Sequence, residues 1–347
     1  MNWDEYKNNY IKVAKLHGKT DEYCIEQLEY AKRLFDKDVP IIFNQEHLSR
    51  LVGYALEYLY AVSNDTKKFY RAFNIIKKNG KKREIHEPLP SLKEIQLWIL
   101  NEILEKIKVS PYAKAYVRGR SVKDNARFHK RQKKVLSMDL KDFFPSITFK
   151  RVLHVFRMIG YREDVAVMLA HLCCVNDSLP QGAPTSPALS NIITSVLDDK
   201  IVEYTKEREI RYTRYADDLT FSGDFEEGDL IKNVERIVRR QGFVVNHKKT
   251  RVRRRNQCQE VTGVVVNEKM QVSRNIRRKI RSEAYYIDKY GYQSHVQHTN
   301  QNRRNYLYYL IGIASYALFI NPNDEKMKQY LSVFKDELNR QGNTEFS

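Results

Sequence analysis

Cysteine is scarce in this chain of 347 residues, which has only four, and their positions exclude two kinds of site. No CxxC pair occurs, and no cysteine stands at a metal-ligand spacing from a histidine, so neither a zinc site nor a ladder of disulfides is predicted. Cys173 and Cys174 are adjacent within an apolar stretch, where we expect buried thiols. Cysteine use of this kind is typical of a reducing cytoplasm.

Long apolar runs are missing as well. The longest, 307–320, is about six residues short of the roughly 20 that span a bilayer, and it contains three tyrosines. The N-terminal MNWDEYKNNY has no apolar stretch of the kind that a signal peptide needs. We therefore expect a soluble cytoplasmic protein with no membrane partner.

Acidic residues are outnumbered by basic ones, 43 to 61, which gives a net charge of +18. The excess lies in two stretches, because 113–134 carries a net +8 and 231–281 a net +13, while the other residues sum to −3. Charge at this density favours a nucleic-acid partner over solvated helix faces. The apolar fraction of 42% is ample for a core, and the length predicts two or three packed units.

The pattern of apolar residues predicts a mixture of helices and strands. Spacings of three and four predict helices at 22–35, 45–61, 92–107, 149–159, 187–207 and 230–241, and the chain after Ser273 is expected to be helical and basic to the end. Short apolar runs bounded by turn residues predict strands at 73–78, 83–86, 135–140, 210–215, 219–222, 243–246, 261–266 and 270–272.

Two carboxylate positions almost eighty residues apart suggest one catalytic site. Asp139 ends the predicted strand VLSMD, and Asp217-Asp218 lies at the tip of the predicted hairpin RYADDLTF. A strand-end aspartate beside a hairpin Asp-Asp is how polymerase palms hold two divalent ions. Mg²⁺ prefers oxygen ligands, and two ions about 3.5–4 Å apart can clamp the attacking and leaving oxygens of an in-line displacement. Taken alone, an Asp-Asp pair is more often an ordinary turn.

The segment LPQGAPTSPALSN, 179–191, lies between the two carboxylate positions and supports the catalytic interpretation. Gln181-Gly182 puts a side-chain amide beside a backbone without Cβ, which lets a base pair approach closely. Pro184 and Pro187 stiffen the loop and prepare the following helix. The order of these segments matches a polymerase palm.

The ordered segments DLKDFF, QGAPTSP, YADD and GFVVNHKKT resemble the motifs of reverse transcriptases. NARFH at 125–129 and VTG at 261–263 resemble the NAxxH and VTG signatures of the retron branch, the bacterial enzymes that copy their own small structured RNA. The resemblance spans about 69–321. It implies an α+β fold with the right-hand polymerase architecture of fingers, a palm with an antiparallel sheet, and a helical thumb. The expected regions are an N-terminal helical region 1–65, fingers with a basic RNA-binding segment 66–134, a palm with finger insertions 135–260 and a basic thumb 261–347.

The resemblance also implies a set of site residues. Two Mg²⁺ ions would be held by Asp139, Leu140, Asp217 and Asp218, and the three aspartates would be catalytic. The deoxynucleoside triphosphate would contact Lys81, Arg83, Phe144, Gln181, Gly182 and Lys249. The structured RNA would contact Asn125, His129, Val261, Thr262, Gly263, Arg277, Arg278 and Arg281.

Individual roles follow from chemistry. Phe144 stands five residues after Asp139, where an aromatic ring under the incoming sugar would clash with a 2′-hydroxyl and favour deoxynucleotides. Arg83 can pair bidentately with phosphate oxygens, whereas Lys81 would act as a point charge. Lys249 can donate a proton to the leaving pyrophosphate. The simpler alternatives are that Phe143 and Phe144 both belong to the core and that each lysine is a solvated surface charge.

The function implied is RNA-directed DNA synthesis. Retron enzymes start at the 2′-hydroxyl of a particular guanosine and make a branched RNA–DNA hybrid, and many act in anti-phage defence with an effector. Nothing after about Asn321 resembles an RNase H or effector domain, so a host RNase H and an effector protein are expected as partners besides the cognate RNA, its DNA product and dNTPs, in the bacterial cytoplasm. The alternatives are a group II intron-like or diversity-generating reverse transcriptase, and a non-catalytic RNA-binding palm, against which the three aspartates argue.

Overall fold

The computed structural model describes residues 2–76, 80 and 82–344, so the predicted contact of Lys81 lies outside the described residues. The chain divides into two compact units. The first comprises Met1–Arg118, Asp139–Val202 and Lys232–Asn246, and the second comprises Gly119–Met138, Glu203–Ile231 and His247–Ser347.

Helices and strands are named here in chain order. The helices are α1 Trp3–Leu16, α2 Asp21–Phe35, α3 Gln45–Val52, α4 Leu56–Asn64, α5 Pro90–Glu102, α6 Val122–Arg127, α7 Phe149–Ile159, α8 Glu163–Cys173, α9 Ser186–Ile193, α10 Ser195–Lys206, α11 Glu227–Arg240, α12 Arg274–Tyr290, α13 Tyr292–His298, α14 Tyr306–Ile320 and α15 Glu325–Thr344. The strands are β1 Tyr70–Ile76, β2 Lys82–Pro88, β3 Lys134–Asp139, β4 Arg211–Tyr215, β5 Asp218–Gly223, β6 Arg251–Arg254, β7 Glu260–Val261, β8 Val264–Val265 and β9 Gln271–Val272.

The first unit is mostly helical, and three of its predicted helices are divided. The helix expected over 92–107 is α5 followed by a short 3₁₀ helix, Leu104–Lys106. The single helix expected over 45–61 is α3 and α4, because Gly53 adopts φ +76° and ends α3. The helix expected over 187–207 is α9 and α10, which meet at Thr194. The Thr194 hydroxyl donates to the carbonyl oxygen of Ser190 at 2.6 Å, a bond of the kind that bends helices.

The remaining predictions for the first unit give mixed results. Strands β1 and β2 pair in antiparallel register from Tyr70↔Pro88 to Ile76↔Lys82, which confirms the hairpin, although its turn at 77–79 lies outside the described residues. The strand expected at 243–246 is wrong, since that segment forms only an isolated bridge between Val245 and Leu140. Cys173 is buried as predicted, and burial raises the pKa of its thiol to about 12.

The second unit contains two sheets. The four-stranded sheet has the order β4-β5-β3-β6, with β4 antiparallel to β5 and β3 antiparallel to β6. The three-stranded sheet has the order β7-β8-β9, with antiparallel neighbours. The strand expected over 261–266 is interrupted at Thr262 and Gly263, which form the turn between β7 and β8.

The core of the second unit joins α6 and the three-stranded sheet to the C-terminal helices. Its fully or almost fully buried members include Ala126 of α6, Val264 of β8, Ile280 of α12, Leu310 of α14 and Phe334 of α15. The chain after Ser273 forms α12, α13, α14 and α15 with short connections, which confirms that it is helical. Among the described residues, no helix is both long and apolar enough to cross a membrane.

Candidate active site

Asp139 is the last residue of β3 and is only 5% exposed. Two hydrogen bonds from Asn246 hold Asp139 in place. The backbone N–H of Asn246 donates to the carbonyl oxygen of Asp139 at 2.7 Å, and the Asn246 side-chain amide donates to Oδ2 of Asp139 at 3.2 Å. A buried carboxylate needs such partners, since an isolated charge is costly away from water. Asn246 belongs to the GFVVNHKKT segment, yet the sequence analysis does not single it out.

The β4–β5 hairpin carries the other two aspartates. Its last pair is Tyr215↔Asp218, which leaves Ala216 and Asp217 as a two-residue turn. Ala216 has φ +58°, and positive φ is what two-residue turns need to match the twist of their strands. Arg214 is fully buried and donates from Nη1 to the Ala216 carbonyl oxygen at 3.3 Å. The supported turn leaves Asp217 half-buried and Asp218 exposed.

The two carboxylate-bearing elements belong to one sheet, in which β3 and β5 are neighbours. Among the described residues, no group of three or more His, Cys, Asp and Glu side chains is arranged to hold a metal ion. Mg²⁺ commonly takes only one or two carboxylates from a protein and fills its other positions with waters and phosphate oxygens. The aspartate oxygens of these strands therefore fit the chemistry of Mg²⁺. Leu140 can offer only its backbone carbonyl.

The segment with Gln181 and Gly182 is bound to the strand that carries Arg83. The backbone N–H of His86, in β2, donates to the carbonyl oxygen of Gln181 at 2.8 Å. Gly182 has φ +128°, and a Cβ there would lie 2.6 Å from the carbonyl oxygen of His86. Any side chain at this position would therefore force the segment away from β2. The glycine predicted for a close base-pair approach is thus also required by the protein backbone.

Phe143 and Phe144 have different surroundings. Phe143 is 4% exposed and its ring centroid lies 5.9 Å from that of Phe243, so it belongs to the core. Phe144 is only half-buried, and besides Phe143 its ring has Tyr116 as a neighbour, with 6.4 Å between centroids. The alternative that both phenylalanines are core residues therefore holds for Phe143 only.

Tyr116 is a residue that sequence reasoning missed. It is 53% exposed and has φ +57°, a conformation that is uncommon for a bulky residue. Asn191, the last residue of LPQGAPTSPALSN, is 1% exposed and donates its side-chain amide to the carbonyl oxygen of Ala115 at 2.8 Å. That bond holds the segment immediately before Tyr116. Strained residues of this kind cluster at functional sites.

Two of the cations expected to bind the triphosphate, Arg83 and Lys249, belong to the described residues, and both lie at the surface. Arg83 is exposed on β2. Lys249 is exposed at the end of a short 3₁₀ helix, His247–Lys249. Both side chains are accessible to an anion, and their contacts with the triphosphate stay predictions.

The residues expected to contact RNA fall into two groups. In the NARFH and VTG segments, Asn125 and His129 are 0% exposed and Val261 is 1% exposed, whereas Thr262 is half-exposed and Gly263 is exposed. The buried side chains have hydrogen-bond partners inside the unit, since both ring nitrogens of His129 and the amide of Asn125 bond to other side chains. Their contact with RNA stays a prediction, and it is one that this burial does not favour.

The arginines of α12 are at the surface but are not equivalent. Arg278 and Arg281 are exposed, whereas Arg277 is half-buried and forms an ion pair with Asp324. Burial of the carboxyl acts to raise the pKa of Asp324, but the pairing with Arg277, together with the Met327 backbone and the charge of Lys269, outweighs it and leaves the pKa lowered. The three arginines line a cleft of about 440 Å³ together with Arg274 and Lys326. Such a concentration of positive charge suits a phosphate backbone.

Comparison with known proteins places these features in a family. Residues 75–276 match the family model described as reverse transcriptase (RNA-dependent DNA polymerase), which covers more than half of the chain. The retron Ec86 reverse transcriptase of Escherichia coli is 34% identical over 82% of this chain and 88% of its own length. The retron Mx65 reverse transcriptase of Myxococcus xanthus is 36% identical over 73% of this chain, which spans only 62% of that protein.

The chain therefore belongs to the retron reverse transcriptases, and it has the right-hand polymerase fold and the RNA-directed DNA polymerase activity that define them. The resemblance identified from the sequence is confirmed in both steps, the superfamily and the retron branch. Among solved structures, telomerase from Candida albicans aligns at a TM-score of 0.42 with 10% identity, over 77% of this chain and 61% of that one, a likeness too weak to argue from.

Proposed function

We propose that this reverse transcriptase copies part of a cognate structured non-coding RNA from the 2′-hydroxyl of a guanosine, and so makes a branched RNA–DNA hybrid. The observation that carries the proposal is that the two retron segments contact each other. The Asn125 amide of NARFH donates to the Thr262 hydroxyl of VTG at 3.3 Å. Residues from NAxxH and VTG, far apart in sequence, thus meet in one network. The match to retron relatives over most of the chain supports it further.

The transfer site proposed is formed by Asp139, Asp217 and Asp218. Support comes from the sheet, in which β3, ending at Asp139, is the neighbour of β5, beginning at Asp218. At the start of β3, the Lys134 ammonium donates to the carbonyl oxygen of Phe225, just after the end of β5, at 2.7 Å. Contact between the start of one strand and the end of its neighbour is the arrangement of antiparallel strands.

Two Mg²⁺ ions, when bound, would neutralise the charge that develops on the phosphate oxygens. The protein's own contribution is to hold ligands for them, the carboxylates of the three aspartates and the carbonyl of Leu140. Asn246 keeps the Asp139 carboxylate oriented, and Arg214 keeps the hairpin turn in place. Preorganised groups of this kind need no reorganisation during the reaction.

Selection of deoxynucleotides is assigned to Phe144, with Tyr116 as the second aromatic wall of the sugar pocket. The half-buried position of Phe144 and the strained, exposed position of Tyr116 support this. Arg83 would pair with phosphate oxygens, Gln181 and Gly182 would face the nascent base pair, and Lys249 would donate a proton to pyrophosphate.

The partners proposed follow from charge and family. The exposed arginines of α12 would bind phosphates of the structured RNA. An effector protein and a host RNase H would act on the product in the bacterial cytoplasm, and the whole would serve anti-phage defence. These assignments rest on the retron relationship.

The test is to express the gene with its flanking DNA in a bacterial host and to isolate short DNA after RNase treatment. We expect a product whose mobility changes on treatment with a 2′,5′-debranching enzyme. Linear cDNA alone would instead support a group II intron-like or diversity-generating enzyme. The matched control is the same plasmid with Asp217→Asn and Asp218→Asn, which should yield no DNA.

A further inference from the structure

A chain of four hydrogen bonds, three of them buried and the last part-buried, connects the NAxxH and VTG segments through the β4–β5 hairpin. The Nδ1 atom of His129 lies 2.7 Å from the hydroxyl of Ser222 in β5, and Nε2 lies 2.7 Å from the hydroxyl of Thr213 in β4. The Thr213 hydroxyl donates to Oδ1 of Asn125 at 2.5 Å, and Nδ2 of Asn125 donates to the hydroxyl of Thr262 at 3.3 Å.

The direction of this chain is determined by proton counting. A threonine hydroxyl has one proton, and that of Thr213 goes to Asn125, so its oxygen must accept from Nε2–H of His129. In the neutral form of His129, Nδ1 then carries no proton and accepts from the Ser222 hydroxyl. Each donor is matched with an acceptor from Ser222 to Thr262. Buried polar networks satisfied in this way specify one arrangement.

The chain ends at a turn that is unusual for its sequence. Val261 pairs with Val264, so Thr262 and Gly263 form a two-residue hairpin turn, with φ +47° and +84° respectively. Positive φ at both positions is the type I′ pattern, which favours Asn-Gly and Asp-Gly. A β-branched threonine in this conformation is strained. The hydrogen bond from Asn125 holds that strained residue in place.

Of the residues that define the two signatures, only Thr262 and Gly263 reach the surface, while Arg127 and Phe128, which are also exposed, occupy the two open positions of NAxxH. Asn125, His129 and Val261 are enclosed, whereas Gly263 is exposed and a Cβ built on it would have no atom within 4 Å. Open space in front of a glycine allows another backbone to come close. The guanidinium of Arg253 donates to the carbonyl oxygen of Glu260 at 3.2 Å and so holds the start of β7, two residues before the turn.

We propose that the Thr262–Gly263 turn is the part of the signatures that contacts the ribose–phosphate backbone of the RNA, and that Asn125, His129 and Thr213 are positioning residues that hold it. The proposal rests on the retron function given above. It reassigns Asn125 and His129 from direct contact to support, and it adds Thr213, which neither signature contains. The ligand chemistry is a phosphate or 2′-hydroxyl oxygen that meets turn N–H groups.

The first experiment blocks the turn without distorting it. Asparagine tolerates positive φ, so Gly263→Asn should keep the turn while placing a side chain in the open space. Affinity for RNA transcribed from the DNA flanking the gene should fall about tenfold, the size of one lost hydrogen bond to a charged group. The matched control is Gly53→Asn, where φ is +76° and no atom lies within 4 Å of a Cβ. Equal affinity of the two variants would overturn the proposed contact.

The second experiment separates positioning from shape. Thr213 is 0% exposed, so neither replacement of it changes the protein surface. Thr213→Val keeps the shape and removes the hydroxyl, whereas Thr213→Ser keeps the hydroxyl. We expect the RNA affinity to fall several-fold with valine and to be largely retained with serine, at a temperature where both are folded. Equal effects of the two replacements would mean that Thr213 only fills space, and would overturn its positioning role.

A double-mutant cycle and the salt dependence complete the test. The loss of RNA-binding free energy in the double variant, His129→Ala with Thr213→Val, should be smaller than the sum of the losses in the two single variants. Both replacements break the same chain of hydrogen bonds. The slope of log affinity against log salt should stay as in the wild type, whereas a direct contact of His129 with phosphate predicts a smaller slope. Additive losses with a reduced slope would contradict positioning. Wild-type protein that makes no branched DNA would instead contradict the proposed function, whatever these variants do.

Discussion

Two sets of motif residues, one from each unit, differ in how much of them reaches the surface. In the first unit, Arg83 is exposed and Phe144 half-buried, so both are accessible to a nucleotide. In the second unit, Asn125 and His129 are fully enclosed in a hydrogen-bond chain. Both sets stand out in the sequence as short motifs. On the roles proposed above, a motif can mark either a contact with substrate or the support of a turn, and burial would separate the two.

The largest effect is expected from the hairpin aspartates. Asp217→Asn with Asp218→Asn removes two carboxylates and keeps the shape of the side chains. The rate of DNA synthesis should fall at least about a thousandfold because the metal ligands are lost. That fall corresponds to three steps of about 1.36 kcal/mol in the activation free energy. RNA affinity should change little. Primer extension and RNA binding measured on the same preparation check this, with Asp288→Asn on α12 as the control. Synthesis at the wild-type rate would remove the palm assignment.

Gly182→Ala is expected to have the next largest effect. The new Cβ would meet the His86 carbonyl oxygen at 2.6 Å, and alanine is strained at φ +128°. The free energy of unfolding should fall by about 2–3 kcal/mol, and the KM for dNTP should rise. Gly228→Ala is the control, because Gly228 lies in α11 with no atom within 4 Å of a Cβ. That change should be neutral or slightly stabilising, and an equal loss at both sites would argue against close packing at Gly182.

Loss of the ring at Phe144 should weaken sugar discrimination. Phe144→Ala should lower the ratio of kcat/KM for dNTP over rNTP by about tenfold, since the clash with a 2′-hydroxyl is removed. Tyr116→Gly should weaken discrimination less, and glycine relieves the strain at φ +57°, so misfolding would not explain its effect. Single-nucleotide incorporation measures both ratios. Unchanged discrimination in Phe144→Ala would contradict its role, and unchanged discrimination in Tyr116→Gly alone would remove only the second wall.

The smallest effects are expected from the arginines of α12. Arg278→Ala should lower RNA affinity and reduce the salt slope by about 0.7–0.9, whereas Arg277→Ala should mainly lower stability, by about 1 kcal/mol. The folded-state pKa of Asp324 is lowered, so its pairing with Arg277 stabilises the fold above the ordinary aspartate pKa of about 4 and is lost as the pH falls through the lowered value. The melting temperatures of Arg277→Ala and of the wild type should therefore converge as the pH is lowered. If the two variants had equal slopes of log RNA affinity against log salt, the distinction between an RNA-binding Arg278 and an ion-paired Arg277 would be contradicted.

Much of the fold follows from local patterns. The limits of α7 are those predicted from apolar spacing, and the β4–β5 hairpin lies where RYADDLTF predicts it. Errors arise where one residue interrupts a run, as Gly53 and Thr194 do in helices. The apolar run 261–266 reads as one strand because nothing local shows that Asn125, distant in sequence, stabilises Thr262 in a turn.

The site is less accessible to sequence reasoning. Aspartates and a glycine-containing loop are visible in sequence because their chemistry needs particular residue types. Asn246, Arg214 and Asn191 act through hydrogen bonds to backbone carbonyls or to a carboxylate, and many residue types at many positions could do so. Their partners are known only once the chain is folded. Nor does the sequence show that His129 is enclosed, with both ring nitrogens bonded to side chains of β4 and β5.

One measurement tests the contrast between contact and support most directly. RNA affinity and dNTP/rNTP discrimination are determined side by side for Phe144→Ala and Thr213→Val. We predict that Phe144→Ala loses discrimination and keeps RNA affinity, while Thr213→Val loses RNA affinity and keeps discrimination. Two results, each at a temperature where both variants are folded, would contradict the account. One is that Phe144→Ala loses RNA affinity and Thr213→Val loses discrimination. The other is that both variants lose both quantities to the same extent.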